Sequence, residues 1–449
     1  MTRDILAATF IAIAAVLPRI WILSATSASG LMADMVDYFD RARYLFDNGR
    51  LYPDAFRVPG YPIAIAGSFA ALGSDVQSAR ILQLLILTLI PVVTYALARR
   101  VMGTGRAMIA SLIVAWYPGL LLYTVYVMAE PLFMLLVLLA LLCARHATMA
   151  AMFSAGLFAG LATMTRQAGV AVGAALFVWA AIRPQTMVWR PTRGRRAMFA
   201  MVVAAGMVVA LAPWAIRNYT VFGRWMPLET TGGITFLMSH YEDATGRYVL
   251  SDWDAVHQRY LNRQPEEFTR NATAYRLGLE YIRKDPMRIL KLVPKRLAYL
   301  FDLEGREHLW VYTAAYFGPR PRAIVMGAGW AIALAFPLLV TAAIISLSFG
   351  PPPRTATEAL VLWVLAVMVV QLLTVFGDSR FHLPLVPLLA IVALRPWPMD
   401  DEPRSLLRMS VGLLVLALAL QWWGSRLPTQ LRLIERAAAP QGWQSGMTY

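Results

Sequence analysis

Three aspartates lie close together just after the first long apolar segment of the chain. Asp34, Asp37 and Asp40 follow the apolar run 4–25, and the chain then passes Arg57 before it becomes apolar again. A carboxylate at a membrane interface is costly unless it is hydrated or paired, so a cluster there is a candidate functional site. A carboxylate that can accept a proton, followed by an arginine, suits chemistry on a phosphorylated lipid at the bilayer surface.

Asp34 has two interpretations. On a helix, Asp34, Tyr38 and Ala42 share one face, so the carboxylate could point into a cavity and accept a proton from an acceptor hydroxyl. Alternatively, Asp34 caps the N-terminus of that helix, a position where aspartate is favoured. Asp37 and Asp40 fall on other faces and are interpreted as solvated residues. Spacing alone does not separate the cap from the base.

A second acid, Glu130, precedes Pro131 at the start of another apolar segment. This dipeptide is ordinary at a helix start, where a negative charge meets the helix dipole favourably. In the functional interpretation, Glu130 helps to fix Asp34 or a divalent cation, because one or two carboxylates and a substrate phosphate are a typical magnesium arrangement. The single cysteine, Cys143, excludes an intramolecular disulfide and a multi-cysteine metal site, and it leaves the metal itself open.

Four arginines are expected at the same membrane surface as these acids. A guanidinium binds phosphate bidentately and keeps its charge, although each of the four could also extend to lipid headgroups. Convergence of all four would create an anion site. They are Arg57, Arg166, Arg217 and Arg380. His382 follows Arg380 closely and is interpreted as more typical of a structural residue than of a ligand.

The composition predicts an all-α polytopic membrane protein. Of 449 residues, 59% are hydrophobic and 15% are charged, whereas soluble domains are usually about 25% charged. Apolar runs of about 20 residues recur, and the ten-residue alternation of a membrane barrel is not seen. The first run is interpreted as a retained anchor. About eleven spans are predicted, at 4–25, 78–99, 105–122, 129–144, 148–164, 168–183, 197–215, 322–348, 357–376, 382–396 and 407–424; the apolar segment 60–72 is interpreted as re-entrant or interfacial.

The distribution of arginines predicts the orientation of these spans. With the N-terminus in the cytoplasm, the inner connections carry arginine, as the positive-inside rule expects. The inner residues are Arg3, Arg99, Arg100, Arg106, Arg145, Arg183, Arg190, Arg193, Arg195, Arg196, Arg354, Arg395, Arg404 and Arg408. Much of the net charge of +15 then anchors loops to anionic lipid and some of it lies on the outer side, so no nucleic-acid partner is needed.

The predicted organisation has three parts. Residues 1–215 form an N-terminal transmembrane module that carries the first outer loop, 26–62. Residues 216–321 are too long for a simple connection and form a periplasmic or interfacial loop subdomain with helices over 266–283 and 286–301. Residues 322–449 form a C-terminal transmembrane module with a short tail.

Several of these segments resemble a known enzyme group. The pattern D-x-x-x-Y-x-x-x-A from Asp34, followed by RVPGYP at Arg57–Pro62, resembles the first outer loop of GT-C membrane glycosyltransferases. More narrowly it is similar to the bacterial branch related to protein O-mannosyltransferases and lipid A aminoarabinose transferases. Further matching segments are AEPLF at 129–133, GLATMTRQ at 160–167, APWAIRNYTVFG at 212–223, IRKDPMRILKLVPKRLAYLF at 282–301 and DSRFHLPLVP at 378–387.

The resemblance implies a glycosyltransferase with a GT-C-like bundle in the bacterial inner membrane and an active site facing the periplasm. It implies a polyprenyl-phosphate-linked sugar as donor and a lipid, glycan or protein as acceptor. Membrane lipids surround the protein, and transfer inverts the configuration at the anomeric carbon of the sugar. It implies Asp34 as the general base, or Asp37 if the loop is shifted by one turn, and Glu130 as the best match to a second acidic position. The candidate substrate-binding residues are Asp37, Tyr38, Arg57, Tyr61, Arg166, Arg217, Asp378, Arg380 and His382. No cofactor is required by the pattern, and a divalent cation stays open.

Two other functions are weighed against this one. A transporter of lipid-linked sugars would place ionisable residues mid-span on broken helices in related halves, but here the acids gather at one membrane surface and no halves match. A non-catalytic scaffold of the envelope would need neither Asp34 nor a lipid groove.

Overall fold

A computed structural model describes residues 2–26, 30–182, 192–249, 254–262, 266–304, 316–318, 320–395 and 406–439. In chain order the helices are α1 (Thr2–Ser24), α2 (Asp34–Asn48), α3 (Gly60–Leu72), α4 (Val76–Ala98), α5 (Thr104–Ala115), α6 (Pro118–Leu122), α7 (Glu130–Ala144), α8 (Met149–Thr165), α9 (Gly169–Ile182), α10 (Arg193–Phe222), α11 (Thr231–His240), α12 (Glu267–Lys284), α13 (Pro286–Leu300), α14 (Arg322–Phe349), α15 (Ala356–Leu372), α16 (Val386–Ala393) and α17 (Leu406–Ala437). A π-helical turn covers His257–Leu261 and a 3-10 turn covers Ser379–Leu385.

The long apolar helices confirm a multi-pass membrane protein. Within the described residues, α1, α4, α10, α14 and α17 are long and apolar enough to cross a bilayer. Helices suit this role because all their backbone groups bond internally, where no water is available. The other six predicted spans fall on shorter apolar helices, and 60–72 is the short helix α3. The number of eleven crossings therefore stays a prediction.

The two ends of the bundle differ in their charged contacts. At one end, Arg99 pairs with Asp4 at 2.8 Å, and Arg395 pairs with Glu358 at 2.9 Å. We call this the arginine-rich end. The other end carries the start of α2, the turn before α3 and the 3-10 turn, and we call it the site end. The predicted inner residues Arg183, Arg190 and Arg404 lie outside the described residues.

The described parts of residues 223–301 form a helical unit at the site end, which we call the loop subdomain. Its helices α12 and α13 confirm the two predicted there, with boundaries within one residue of those expected. The subdomain has a small core of its own, which includes Ile234, Leu237, Val256 and Leu261. The predicted boundary after residue 215 falls inside α10, which continues without a break to Phe222.

Candidate functional site

Asp34 is held between two arginines at the site end. Its Oδ1 lies 2.6 Å from Nη2 of Arg57, and its Oδ2 lies 3.2 Å from Nη1 of Arg380. Burial raises the pKa of Asp34, but the positive charges of Arg57, Arg380 and Arg166 outweigh it and lower the pKa to about 2. The carboxylate is therefore ionised at neutral pH, and it already accepts bonds from two cations.

The N-cap interpretation of Asp34 is wrong. Helix α2 begins at Asp34, its N-cap is Ala33, and no side chain caps the helix. The φ of Ala33 is 48°, a backbone conformation that residues with a Cβ rarely adopt. Strain of this kind, about 1–3 kcal/mol, tends to persist at functional sites. It stands immediately before the residue whose carboxylate binds both arginines.

Asp37 extends the same group of charges. Arg57 donates through Nε to Asp37 Oδ2, and Arg41 donates through Nε to Asp37 Oδ1 at 2.8 Å. Arg41 also binds Asp54 at 2.6 Å, which ties α2 to the following loop. The interpretation of Asp37 as a solvated face residue is therefore wrong, whereas Asp40 is exposed as expected.

Glu130 binds the third arginine of the group. Its Oε1 accepts a hydrogen bond from Nη1 of Arg166 and lies 3.3 Å from Nε of Arg380. Its side chain is 1% exposed, and Oε2 is buried without a hydrogen-bond partner. Glu130 does not act as the cap of α7, since the N-cap is Ala129 and no side chain caps that helix. We call Asp34, Asp37, Arg57, Glu130, Arg166 and Arg380 the charge cluster.

Close backbone packing brings these residues together. A Cβ at Gly60 would lie 2.4 Å from the carbonyl oxygen of Met164, so only glycine lets the turn after Arg57 approach the end of α8, where Arg166 lies. At the 3-10 turn, Asp378 accepts a hydrogen bond of 2.9 Å from the backbone N–H of Arg380. Asp378 thus orders the turn that carries this arginine.

Two tyrosines pack beneath the cluster. The guanidinium of Arg57 lies 4.9 Å from the ring centroid of Tyr38, and the ring of Tyr61 meets Tyr38 edge-on at 5.1 Å. Tyr61 is fully buried and donates to Gln83 at 3.2 Å. Burial raises the pKa of Tyr38 to about 12, so this phenol stays protonated. The two rings support Arg57 from below.

Two candidate residues lie apart from the cluster. Arg217 donates to the backbone oxygens of Tyr52 and Asp54 and thereby holds a loop. The other three predicted arginines converge in the charge cluster. His382 is fully buried, and its Nε2 lies 2.8 Å from Glu304. Its other ring nitrogen lies 2.8 Å from the carbonyl oxygen of Leu300. Arg217 therefore contacts a loop backbone at the place where a phosphate contact was expected. His382 has the structural contacts that its sequence interpretation favoured.

The comparisons with known proteins bear on this arrangement. Residues 57–216 match the family model described as dolichyl-phosphate-mannose-protein mannosyltransferase. The archaeal oligosaccharyltransferase AglB from Archaeoglobus fulgidus, in complex with an inhibitory peptide and a dolichol-phosphate, superposes with a TM-score of 0.53 at 15% identity. The match covers 97% of this chain and 56% of that one. The chain has the GT-C fold.

Other structures give the same fold or a weaker likeness. The Archaeoglobus fulgidus oligosaccharyltransferase in complex with zinc and sulfate gives a TM-score of 0.52 at 13% identity, over 99% of this chain and 54% of that one. ArnT from Cupriavidus metallidurans, bound to undecaprenyl phosphate, gives 0.41 at 13% identity, over 92% and 88%. The chain thus spans just over half the length of the archaeal enzymes. No curated protein sequence is significantly similar to it.

The segment that matches the family model contains half of the charge cluster. Arg57, Glu130 and Arg166 lie within residues 57–216, whereas Asp34 and Asp37 precede the segment and Arg380 follows it. The tertiary fold brings the residues outside the segment to those inside it. Asp34, for example, pairs with both Arg57 and Arg380.

Sequence reasoning missed three residues that shape the site. Arg41 had a signal, because it stands four residues after Asp37 on one helix, the spacing of an ion pair. Glu229 and Glu267 had none. Glu267 accepts a hydrogen bond from the N–H of Ala55 at 3.0 Å, and Glu229 accepts one from the N–H of Val58 at 3.3 Å. Along the chain, Glu267 lies 212 residues and Glu229 lies 171 residues from the backbone N–H group that each one binds.

The carboxylates of the cluster are engaged by arginine. Among the described residues, no three side chains of His, Cys, Asp or Glu are placed to hold a metal ion together. Asp34 and Glu130 both contact Arg380, so a cation shared by these two acids would have to replace that guanidinium. We therefore derive no step of the chemistry through a metal.

Proposed function

We propose that this protein is a membrane glycosyltransferase that moves a sugar from a polyprenyl-phosphate donor to an acceptor hydroxyl. The observation that carries the proposal is the pairing of one carboxylate, Asp34, with two arginines at one end of a GT-C bundle. The match of residues 57–216 to a mannosyltransferase family supports it.

The three arginines of the cluster suit the donor phosphate. Arg57, Arg166 and Arg380 have side chains about one-fifth exposed, and each keeps N–H groups that bind no other described residue. Guanidinium groups bind phosphate oxygens bidentately. The archaeal relative of the same fold was solved with a dolichol-phosphate. We expect the donor phosphate to bind these arginines while its lipid tail stays in the bilayer.

Asp34 acts as the general base in this mechanism. The acceptor oxygen attacks the anomeric carbon, and the bond from that carbon to the phosphate oxygen breaks with inversion. Asp34 takes the proton of the acceptor hydroxyl, and the lipid phosphate leaves with its negative charge stabilised by Arg57 and Arg380. A phosphate bound to these arginines offsets their charge, so donor binding raises the pKa of Asp34 and makes it a stronger base.

The remaining acids hold the arginines in place. Asp37 binds Nε of Arg57, and Glu130 binds both Arg166 and Arg380. The six charges balance, three negative against three positive, so the donor-free cluster is neutral. Removal of either acid would leave an arginine partly unpaired and free to turn away from the donor.

The proposed topology follows from the same chemistry. We place the arginine-rich end in the cytoplasm and the site end at the periplasmic face of a bacterial inner membrane. The N-terminus is then cytoplasmic, and the loop subdomain covers the site from the periplasm. The predicted organisation into 1–215, 216–321 and 322–449 is retained as a proposal, with α10 shared across the first boundary.

The test compares two aspartates of the same helix. Purified wild-type, Asp34→Asn and Asp40→Asn proteins are incubated with lipids from cells that lack the gene, and lipid-linked sugars and products are measured by mass spectrometry. Asp34→Asn should lower transfer by about 10²–10⁴-fold, as loss of a general base does. Asp40→Asn changes an exposed residue and should transfer like wild type.

One outcome would reject the assignment of Asp34, and another would reject the proposed function. Transfer near the wild-type rate in Asp34→Asn would remove its role as base. A sugar–phosphate bond that stays intact while the lipid crosses vesicle membranes would favour a transporter. For the stereochemistry, NMR of the anomeric centre in donor and product should show inversion.

A further inference from the structure

A pocket that is separate from the charge cluster lies between the first loop and the loop subdomain. It encloses a volume of about 100 Å³, several times the ~10–15 Å³ that a single water molecule needs. None of its lining residues belongs to the charge cluster. They are Phe56, Thr230, Ile234, His257, Leu261, Glu267, Arg270 and Asn271.

The hydrogen-bond acceptors in this pocket are already used. Glu267 accepts bonds from the N–H of Ala55, at 3.0 Å, and from the hydroxyl of Thr230. The side-chain oxygen of Asn271 accepts a bond of 2.7 Å from the N–H of Gly233. These contacts join the loop to the subdomain, so the carboxylate and the amide oxygen are turned toward protein donors.

The hydrogen-bond donors of the pocket are not used. The side chains of Arg270 and His257 are both partly buried, and neither forms an ion pair or a hydrogen bond within the described part of the chain. The side-chain N–H₂ of Asn271 donates to no acceptor there either. A partly buried guanidinium without a partner is costly, and an anionic group would offset that cost. The chemistry of the free groups therefore selects an anion.

The pocket is next to the reacting centre along the chain. Phe56, on its wall, is followed directly by Arg57, whose guanidinium lies 5.7 Å from the Phe56 ring and binds Asp34. The pocket faces the loop subdomain, whereas the donor tail must stay in the bilayer. A ligand in the pocket thus approaches Asp34 from the side away from the membrane core.

We infer that this pocket is a subsite for an acidic group, a phosphate or a carboxylate, on the acceptor. Naming the ligand as the acceptor rests on the proposed function, but the affinity for an anion does not. Arg270 supplies the main charge, and His257 and Asn271 supply further donors. The subsite would restrict the acceptor to molecules with an acidic group close to the hydroxyl that receives the sugar.

The binding test uses a cysteine reporter and needs no enzymatic activity. Phe56→Cys, which lines the pocket and supplies no donor to the anion, is introduced into the full chain with Cys143→Ala, and its modification by a soluble maleimide is timed. The probes are inorganic phosphate, dihexanoyl phosphatidic acid and, as a neutral control, dihexanoylglycerol. At about ten times its Kd, an anionic probe should slow labelling about tenfold, because only the free pocket reacts.

A matched pair of variants shows whether Arg270 is responsible. Arg270→Gln should abolish the protection, whereas Arg276→Gln should keep it, since Arg276 is an exposed residue of the same helix paired with Glu280. Protection by phosphate would show that the free anion is sufficient, and protection by phosphatidic acid alone would identify a lipid-borne headgroup. No protection by either probe, or equal protection in Arg270→Gln, would overturn the subsite.

A kinetic measurement then separates this inference from the proposed function. With native membrane lipids as acceptor, Arg270→Gln should raise the acceptor KM at least several-fold and leave the donor KM unchanged. Anion protection without any transfer in the wild-type protein would reject the glycosyltransferase and keep the anion site. Transfer with an unchanged acceptor KM in Arg270→Gln would reject the acceptor role of the subsite alone.

Discussion

At the scale of single residues, the site is a balanced set of charges with one member suited to proton transfer. Asp34 contacts two arginines, and these arginines are in turn fixed by Asp37 and Glu130. Arg57 and Arg380 each bind two carboxylates and Arg166 binds one, and each of the three keeps N–H groups that bind no other described residue. Such an arrangement can bind a phosphate without moving the residues that hold it in place.

Replacing either arginine that contacts Asp34 should impair both donor binding and chemistry. In Arg57→Ala and Arg380→Ala, we expect a higher donor KM and a lower kcat, because the charge on the leaving phosphate grows in the transition state. The loss should be about 2–4 kcal/mol in kcat/KM, as for other donors to a developing charge. Steady-state kinetics would measure it, with the exposed Arg43→Ala as control. Normal donor kinetics in both variants would mean that the phosphate binds elsewhere.

The pH dependence should reveal the charge around Asp34. Its pKa is lowered to about 2, so the free enzyme keeps this carboxylate ionised until the pH falls through that value. Removing Arg57 takes away a positive charge and raises the pKa, so protonation occurs at higher pH. The acid limb of log(kcat/KM) for the donor should therefore move up by about 1–3 pH units in Arg57→Ala. An acid limb at the same pH in wild type and variant would argue against Asp34 as the base.

At the scale of elements, a few close helix contacts set the geometry of the site. The turn after Arg57 reaches the end of α8 only because Gly60 has no side chain. Glu229 and Glu267 of the loop subdomain then hold the preceding loop by its backbone N–H groups. The positions of the charged side chains therefore depend on contacts made by residues with no chemical role.

Two glycines of helix α3 should respond differently to alanine. In Gly60→Ala the new Cβ would lie 2.4 Å from the carbonyl oxygen of Met164, so α3 and α8 must separate. We expect a loss of about 1–3 kcal/mol in stability, as for other overpacked sites, together with reduced transfer. Gly67→Ala meets nothing within 4 Å and should stabilise the helix by about 0.5–1 kcal/mol. Thermal unfolding in detergent measures both, and equal Tm values would contradict the packing argument.

At the scale of the whole molecule, the bundle separates two charged ends. The site end carries the charge cluster and the loop subdomain, and the arginine-rich end carries pairs such as Arg99 with Asp4. A polyprenyl donor needs this separation, because its phosphate must meet the site at one membrane surface while its tail lies among the helices.

Labelling of single cysteines should establish which end faces the cytoplasm. In a Cys143→Ala background, Asp47→Cys and Arg276→Cys should react with an impermeant thiol reagent in cells with a permeable outer envelope. Both residues are exposed at the site end. Gly194→Cys, where a side chain meets no neighbour, should be protected until the inner membrane is opened. The reverse pattern would invert the bundle and place the site in the cytoplasm.

The sequence by itself determined the class of this protein and the location of its acids. Apolar length and arginine bias are local properties, so the membrane-spanning helices and helices α12 and α13 could be predicted from residues near one another in the chain. The candidate acids Asp34 and Glu130 could be singled out for the same reason, since each stands at the start of an apolar segment or close behind one.

Only the tertiary structure decided which charges meet. Asp34 and Arg380 are 346 residues apart, and their ion pair depends on how the helices cross. The packing of the helices also directs Arg217 toward a loop backbone and buries His382 against Glu304. It turns the carboxylate of Asp34 toward arginines, so this residue does not cap its helix. Hydropathy and helical periodicity describe which face of a segment is apolar, and they contain no information about the partner that a charged side chain reaches across the bundle.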